Sequence, residues 1–137
     1  MNRTLLQQLA EERVRDAKVL LDSGQWSGAY YLAGYAVECA LKACIAKQTQ
    51  LHDFPDKDRV VKSYTHDFDA LVIVAGIQAD LTAVRKVDQS FLDHWLRVKD
   101  WSEKARYREW DEPAARSLFE AVTNPTNGVL RWVKQHW

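Results

Sequence analysis

A chain of 137 residues, 47% hydrophobic and 28% charged, has the apolar material for one ordinary globular domain with a real core. Nineteen basic and nineteen acidic residues cancel, which excludes a global field drawing the protein to nucleic acid or an anionic membrane and leaves only local patches for such partners. The longest apolar run falls well short of the roughly 20 residues of a membrane span. Acids occupy the start, MNRTLLQQLAEER, where a signal peptide has its apolar block, so a cytoplasmic protein with a single domain over residues 1–137 is expected.

Glycine and proline are sparse, five and three in number, and no repeat or low-complexity tract divides the chain, so helix should dominate. The first helix is predicted from about Arg3 to Leu21, with Leu6, Leu9, Ala10, Val14, Ala17, Leu20 and Leu21 on one side, and it ends at Ser23-Gly24. A short turn returns the chain antiparallel into Trp26–Lys47, whose interior has one adjacent acid and base, Glu38 and Lys42. A helix this apolar is buried on most of its surface. At 100° per residue Tyr31, Tyr35, Glu38 and Lys42 share the remaining face, which should line a cleft or a dimer seam, with Tyr31, Tyr35 and Ile45 burying against a second chain. Cys39 and Cys44 point about 140° apart on this helix, so they read as buried free thiols rather than a disulfide or a metal pair.

Leu51 to Tyr64, with Pro55 and the charged run DKDR, reads as a loop or short exposed helix, and His66-Asp67 then opens a helix punctuated by Gly76. Asp80 is the expected N-cap of one following helix whose buried stripe is Leu81, Val84, Phe91, Leu92, Trp95 and Leu96, with Asp93 and Arg97 on its polar side. WSEKARYREW, residues 101–110, has no clean period and should be a loop or turn. Pro113 suits the first turn of the next helix, Asn124-Pro125 breaks it, and helix resumes from Gly128. The expected fold is an all-α antiparallel up-and-down bundle of four or five main helices.

The strongest basic and aromatic cluster is Lys104, Arg106, Tyr107 and Arg108 between Trp101 and Trp110, able to grip a phosphate and stack a base, or else to pair with a bundle acid and cap the core. His66 with Asp67 reads either as a proton-transfer pair or as a helix N-terminus in which Asp67 favours the dipole. No His, Cys or carboxylate spacing suggests a metal site, and no cofactor is expected.

Several stretches together resemble the HEPN family (higher eukaryotes and prokaryotes nucleotide-binding): LLDSGQW, AYYLAGYAVECALKACI, YTHDFDALVIVAG, WSEKARY and NGVLRWVKQHW. The resemblance implies a helical bundle that usually dimerises and is often encoded beside a small nucleotidyltransferase in toxin–antitoxin or defence systems. Many members are metal-independent RNases, in which an Arg and, after four to six residues, a His act on a phosphodiester. That spacing occurs here as Arg59…His66 and Arg131…His136, but ten Arg and four His produce about one such match by chance. Where the family motif would lie stands Arg106-Tyr107, without a following His at that spacing. The expected function is therefore a noncatalytic or weakly catalytic HEPN-like interaction module. It would bind a nucleotidyltransferase partner or a nucleotide or RNA phosphate at Arg106, Tyr107, Lys104, Arg108 and Arg59. The alternatives are an endoribonuclease with Arg106 and His66 as catalytic residues, and a helical adaptor with no nucleic-acid role.

Overall fold

The computed structural model describes residues 1–49, 52–54 and 56–137, and its described residues form eight α-helices and one 3₁₀ turn without a strand. The fold is all-α, as the periodicity predicts. The part of the expected loop at Leu51 and Pro55 lies outside the described residues.

Helix α1 (Arg3–Asp22) starts where the Asn2 side chain accepts the Leu5 N–H at 2.9 Å, and it stops at Gly24, whose φ of +74° suits glycine. Helix α2 (Trp26–Lys47) is the centre of the molecule, with thirteen of its residues buried. Ala29, Ala33 and Ala40 on its apolar side share one core with Ala10 and Ala17 of α1, and Ala36 and Ala43 are buried as well. Small against small lets the two backbones approach closely, so the stripe contributes through tight packing rather than large area. Ile45 is 7% exposed and belongs to this core, which corrects its expected place on a partner-facing surface.

Short helices α3 (Lys57–Ser63) and α4 (Phe68–Val74) follow, capped by the carboxylates of Asp56 and Asp67. The single helix expected after Asp80 is two, α5 (Gln78–Val87) and α6 (Gln89–Lys99). Asp88 divides them: it takes an extended conformation and its carboxylate accepts the Phe91 N–H at 2.9 Å, a local bond that outcompetes continuation of α5. Asp80 consequently sits inside the first turn of α5 and caps nothing. The bend also rotates the buried stripe of α6 onto Phe91, Trp95 and Val98, leaving Leu96 43% exposed. The 3₁₀ turn Glu103–Tyr107, helix α7 (Glu112–Thr123) with Asp111 as cap, and helix α8 (Val129–Lys134) complete the bundle. Helices α1, α4, α7, α8 and the 3₁₀ turn all pack on α2.

Cys39 and Cys44 are free and buried. Burial, and for Cys39 next the Glu38 charge, pushes the Cys39 thiol up to about 11, and burial does the same for Cys44. The folded state therefore holds both protons more tightly than the ordinary value of 9.0, and stability present below pH 9 is lost as pH rises through about 11. Neither thiol should react with iodoacetamide in native protein at pH 8, and both should react in denaturant; mass spectrometry of the alkylated chain checks this.

Candidate functional site

The site begins with a buried charge. Glu38 is 2% exposed in the middle of α2, and its Oε1 accepts two bonds, from Lys42 Nζ one turn on and from His66 Nδ1, each at 2.9 Å. Lys42 has donors only, so Oε1 is an acceptor and Nδ1 of His66 is the protonated ring nitrogen that donates to it. Nε2 is then the nitrogen free for other chemistry, on a side chain 44% exposed. The second oxygen, Oε2, is buried without a hydrogen-bond partner among the described residues.

Local structure holds His66 in place. Asp67, its neighbour, spends its carboxylate on the Ala70 N–H at 2.8 Å, and its own N–H donates to Thr65 Oγ1 at 3.1 Å. Of the two readings of His66-Asp67, the helix N-terminus is the one the structure takes: a helix cap claims Asp67, and the carboxylate facing His66 comes from α2 instead.

An aromatic ladder runs beside the ion cluster. Tyr35 stacks on Tyr31 (6.1 Å between centroids), Tyr31 on Trp101 (5.8 Å), and Trp101 on Phe68 (5.3 Å). Trp101 fits only because position 34 has no side chain: a Cβ there would lie 2.3 Å from its indole ring. Trp101 covers one face of the half-buried Tyr31, and Tyr35 stacks on Tyr31 in turn. Burial, followed by the neighbouring Cys39 and the Glu38 charge, raises the Tyr35 pKa above its ordinary value.

The basic cluster divides in three. Lys104 lines a surface groove with His66, Lys99, Trp101 and Ser102, together with the acids Asp67, Asp100 and Glu103. Lys99 is drawn to Asp69 at 3.5 Å, whereas Lys104 has no carboxylate in ion-pair range among the described residues. Arg106 is outside that groove, fully exposed, with its guanidinium 4.8 Å from the Tyr107 ring; Tyr107 and then Tyr31 raise its pKa further, so it remains charged. Arg108 lies over Trp110 at 5.0 Å, and Trp110 stacks on Tyr30 at 3.8 Å. Arg59 stands elsewhere, donating to Gln48 Oε1 at 2.5 Å in a groove with Asp56 and Ser63. Among the described residues no group of three or more His, Cys, Asp or Glu could hold a metal ion, and no helix is long and apolar enough to cross a membrane.

The HEPN domain model matches residues 4–136, nearly the whole chain. The protein belongs to the HEPN domain family. No curated protein and no solved structure matches it. Within this HEPN chain the sequence pattern did not single out the Gly34–Trp101 contact or its role in carrying the Lys104 turn to His66. A readable signal existed, since glycine inside a helix costs about 1 kcal/mol relative to alanine and marks a close approach.

Two outcomes test this geometry. Gly34→Ala should displace Trp101 and lower stability by about 1–3 kcal/mol in spite of alanine's better helix propensity, read by chemical denaturation with tryptophan fluorescence. In ¹⁵N NMR, wild-type His66 should be the Nδ1–H tautomer when neutral, and Glu38→Ala should shift it toward Nε2–H; an unchanged tautomer would contradict the Glu38 contact.

Proposed function

We propose that this HEPN domain is a noncatalytic or weakly catalytic interaction module that binds a nucleotide or RNA phosphate beside His66. The single observation carrying this reading is the groove itself, where a histidine fixed by a buried carboxylate faces the unpaired Lys104 of an aromatic-anchored turn. Lys104 and His66 suit a phosphate, and Asp67, Asp100 and Glu103 would accept from sugar hydroxyls. Arg106 and Tyr107, at the rim on the same turn, add a permanent charge and a stacking face. Arg108 and Arg59 contribute less, because each is already held by Trp110 or Gln48.

The wider reading keeps the module cytoplasmic and homodimeric, with a nucleotidyltransferase as partner in a toxin–antitoxin or defence system, in line with the family's usual setting. Tyr31, Tyr35, Glu38 and Lys42 then support the groove from α2, Glu38 with Lys42 beside it holding His66 and Tyr31 stacking on Trp101 with Tyr35 against it. A metal-independent endoribonuclease is the second reading, favoured by one feature: Nε2 of His66 is left free for proton transfer once Nδ1 is held.

Labelled single-stranded RNA in EDTA separates the two. Binding without cleavage, weakened about tenfold by Lys104→Ala combined with Arg106→Ala, supports the module. Cleavage lost in both His66→Ala and Arg106→Ala supports the RNase, and neither binding nor cleavage by folded protein leaves a protein-only adaptor.

A further inference from the structure

Two buried atoms of opposite kind are left over where the His66 groove is anchored. Glu38 Oε2, an acceptor, and the Trp101 indole N–H, a donor, have no hydrogen-bond partner among the described residues, and both residues are 2% exposed. Buried polar groups are nearly always paired, so each such atom marks a place where a partner is still to be received. Atoms of this standing are few. Arg13 and Arg59 also carry one but are only partly buried, and Trp95, the remaining case at this depth, packs edge-on to Trp132 rather than in the groove.

The fold brings the two atoms to one place. A Cβ at position 34 would overlap Cγ, Cδ1 and Nε1 of Trp101, so the polar edge of the indole lies on α2 at Gly34. Glu38 stands one turn further along the same face, about 5–6 Å away at the side-chain roots. Long side chains on a helix lean back toward its N-terminus, the direction in which position 34 lies from Glu38. Oε1 is committed to Lys42 and His66, which leaves Oε2 for whatever comes next. Trp101 and His66 line the same groove, and Phe68, two residues after His66, stacks on Trp101.

Charge and hydrogen-bond sense decide what fits between them. A phosphate or carboxylate oxygen would meet the Glu38 charge, and an ammonium group or metal ion would meet the indole hydrogen. A hydroxyl oxygen accepts from one and donates to the other. We propose that Trp101 Nε1 and Glu38 Oε2 form a subsite for one O–H oxygen at the floor of the His66 groove. That oxygen belongs to a water molecule or to a sugar hydroxyl of a bound nucleotide, and the second source rests on the nucleotide reading above. Either way it joins the side chain that fastens the Lys104 turn to the one that fixes the His66 tautomer. With a sugar hydroxyl in place, the subsite selects against a deoxy ligand, which would leave both buried atoms unmet.

The full chain labelled with ¹⁵N provides a readout that needs no ligand. The Trp101 indole N–H, assigned by its loss in Trp101→Phe, should show a rotating-frame Overhauser contact with a long-lived water where water is the source. Phenylalanine keeps a ring to stack on Phe68 and Tyr31, and circular dichroism checks that this variant is folded. Calorimetry then compares adenosine 5′-phosphate with its 2′-deoxy and 3′-deoxy forms. Where a sugar hydroxyl is the source, one deoxy form should bind about tenfold more weakly, and Trp101→Phe should erase the difference. A preference that survives Trp101→Phe arises elsewhere in the groove and counts as none. The water contact or the hydroxyl preference supports the subsite and names its source; a protein that binds the nucleotide and shows neither overturns it. Failure of all three nucleotides to bind overturns the nucleotide reading instead, and the subsite then stands with the water contact or falls without it.

Discussion

Burying one carboxylate in an otherwise apolar helix sets the terms for everything around it. A carboxylate moved out of water must be met by donors or it destabilises the fold by several kcal/mol. Lys42 supplies one donor from the next turn of α2, and the other comes from His66, 28 residues further along the chain. That second bond ties the entry of α4 to the centre of the bundle. It also fixes the histidine tautomer, so stability and the chemistry of the groove depend on the same oxygen atom.

The surrounding packing serves that constraint. A run of buried alanines lets α1 close one side of α2 with little volume between them. On the other side Gly34 admits the Trp101 indole, which stacks on Phe68 of α4 and on Tyr31 of α2. One tryptophan thus fastens the segment bearing Lys104, Arg106 and Tyr107 to the two elements that hold His66. Rigid support of this sort is what places a groove-lining charge reproducibly, because loop residues alone would sample many rotamers.

Charge is neutral in total but not in arrangement. A minority of the cations have a carboxylate partner among the described residues, among them Lys18 with Asp22, Lys134 with Glu11 and Arg13 with Asp16. Such exposed pairs contribute little to stability, typically about 0–1 kcal/mol each. The cations that bear on the candidate site are Lys104 beside His66 and Arg106 over Tyr107. Each marks a surface where the chain has not satisfied itself.

The sequence alone determined the helices whose signals are local. Apolar periodicity bounded α1 and α2, Gly24 ended the first, Asp67 and Pro113 opened later ones, and the family resemblance followed from the same stretches. It also placed Tyr31, Tyr35, Glu38 and Lys42 on one face, since 3.6-residue periodicity is a property of the backbone. It could not place what meets that face. Asp88 rather than Asp80 became a cap because only the folded chain shows which aspartate finds an N–H in reach. His66 met Glu38 and not Asp67, Arg59 went to Gln48, and Lys104 rather than Arg106 reached the histidine groove. Those pairings join residues far apart in the chain, and they are decided by which helix packs where. Tertiary structure alone brings such groups within hydrogen-bond distance.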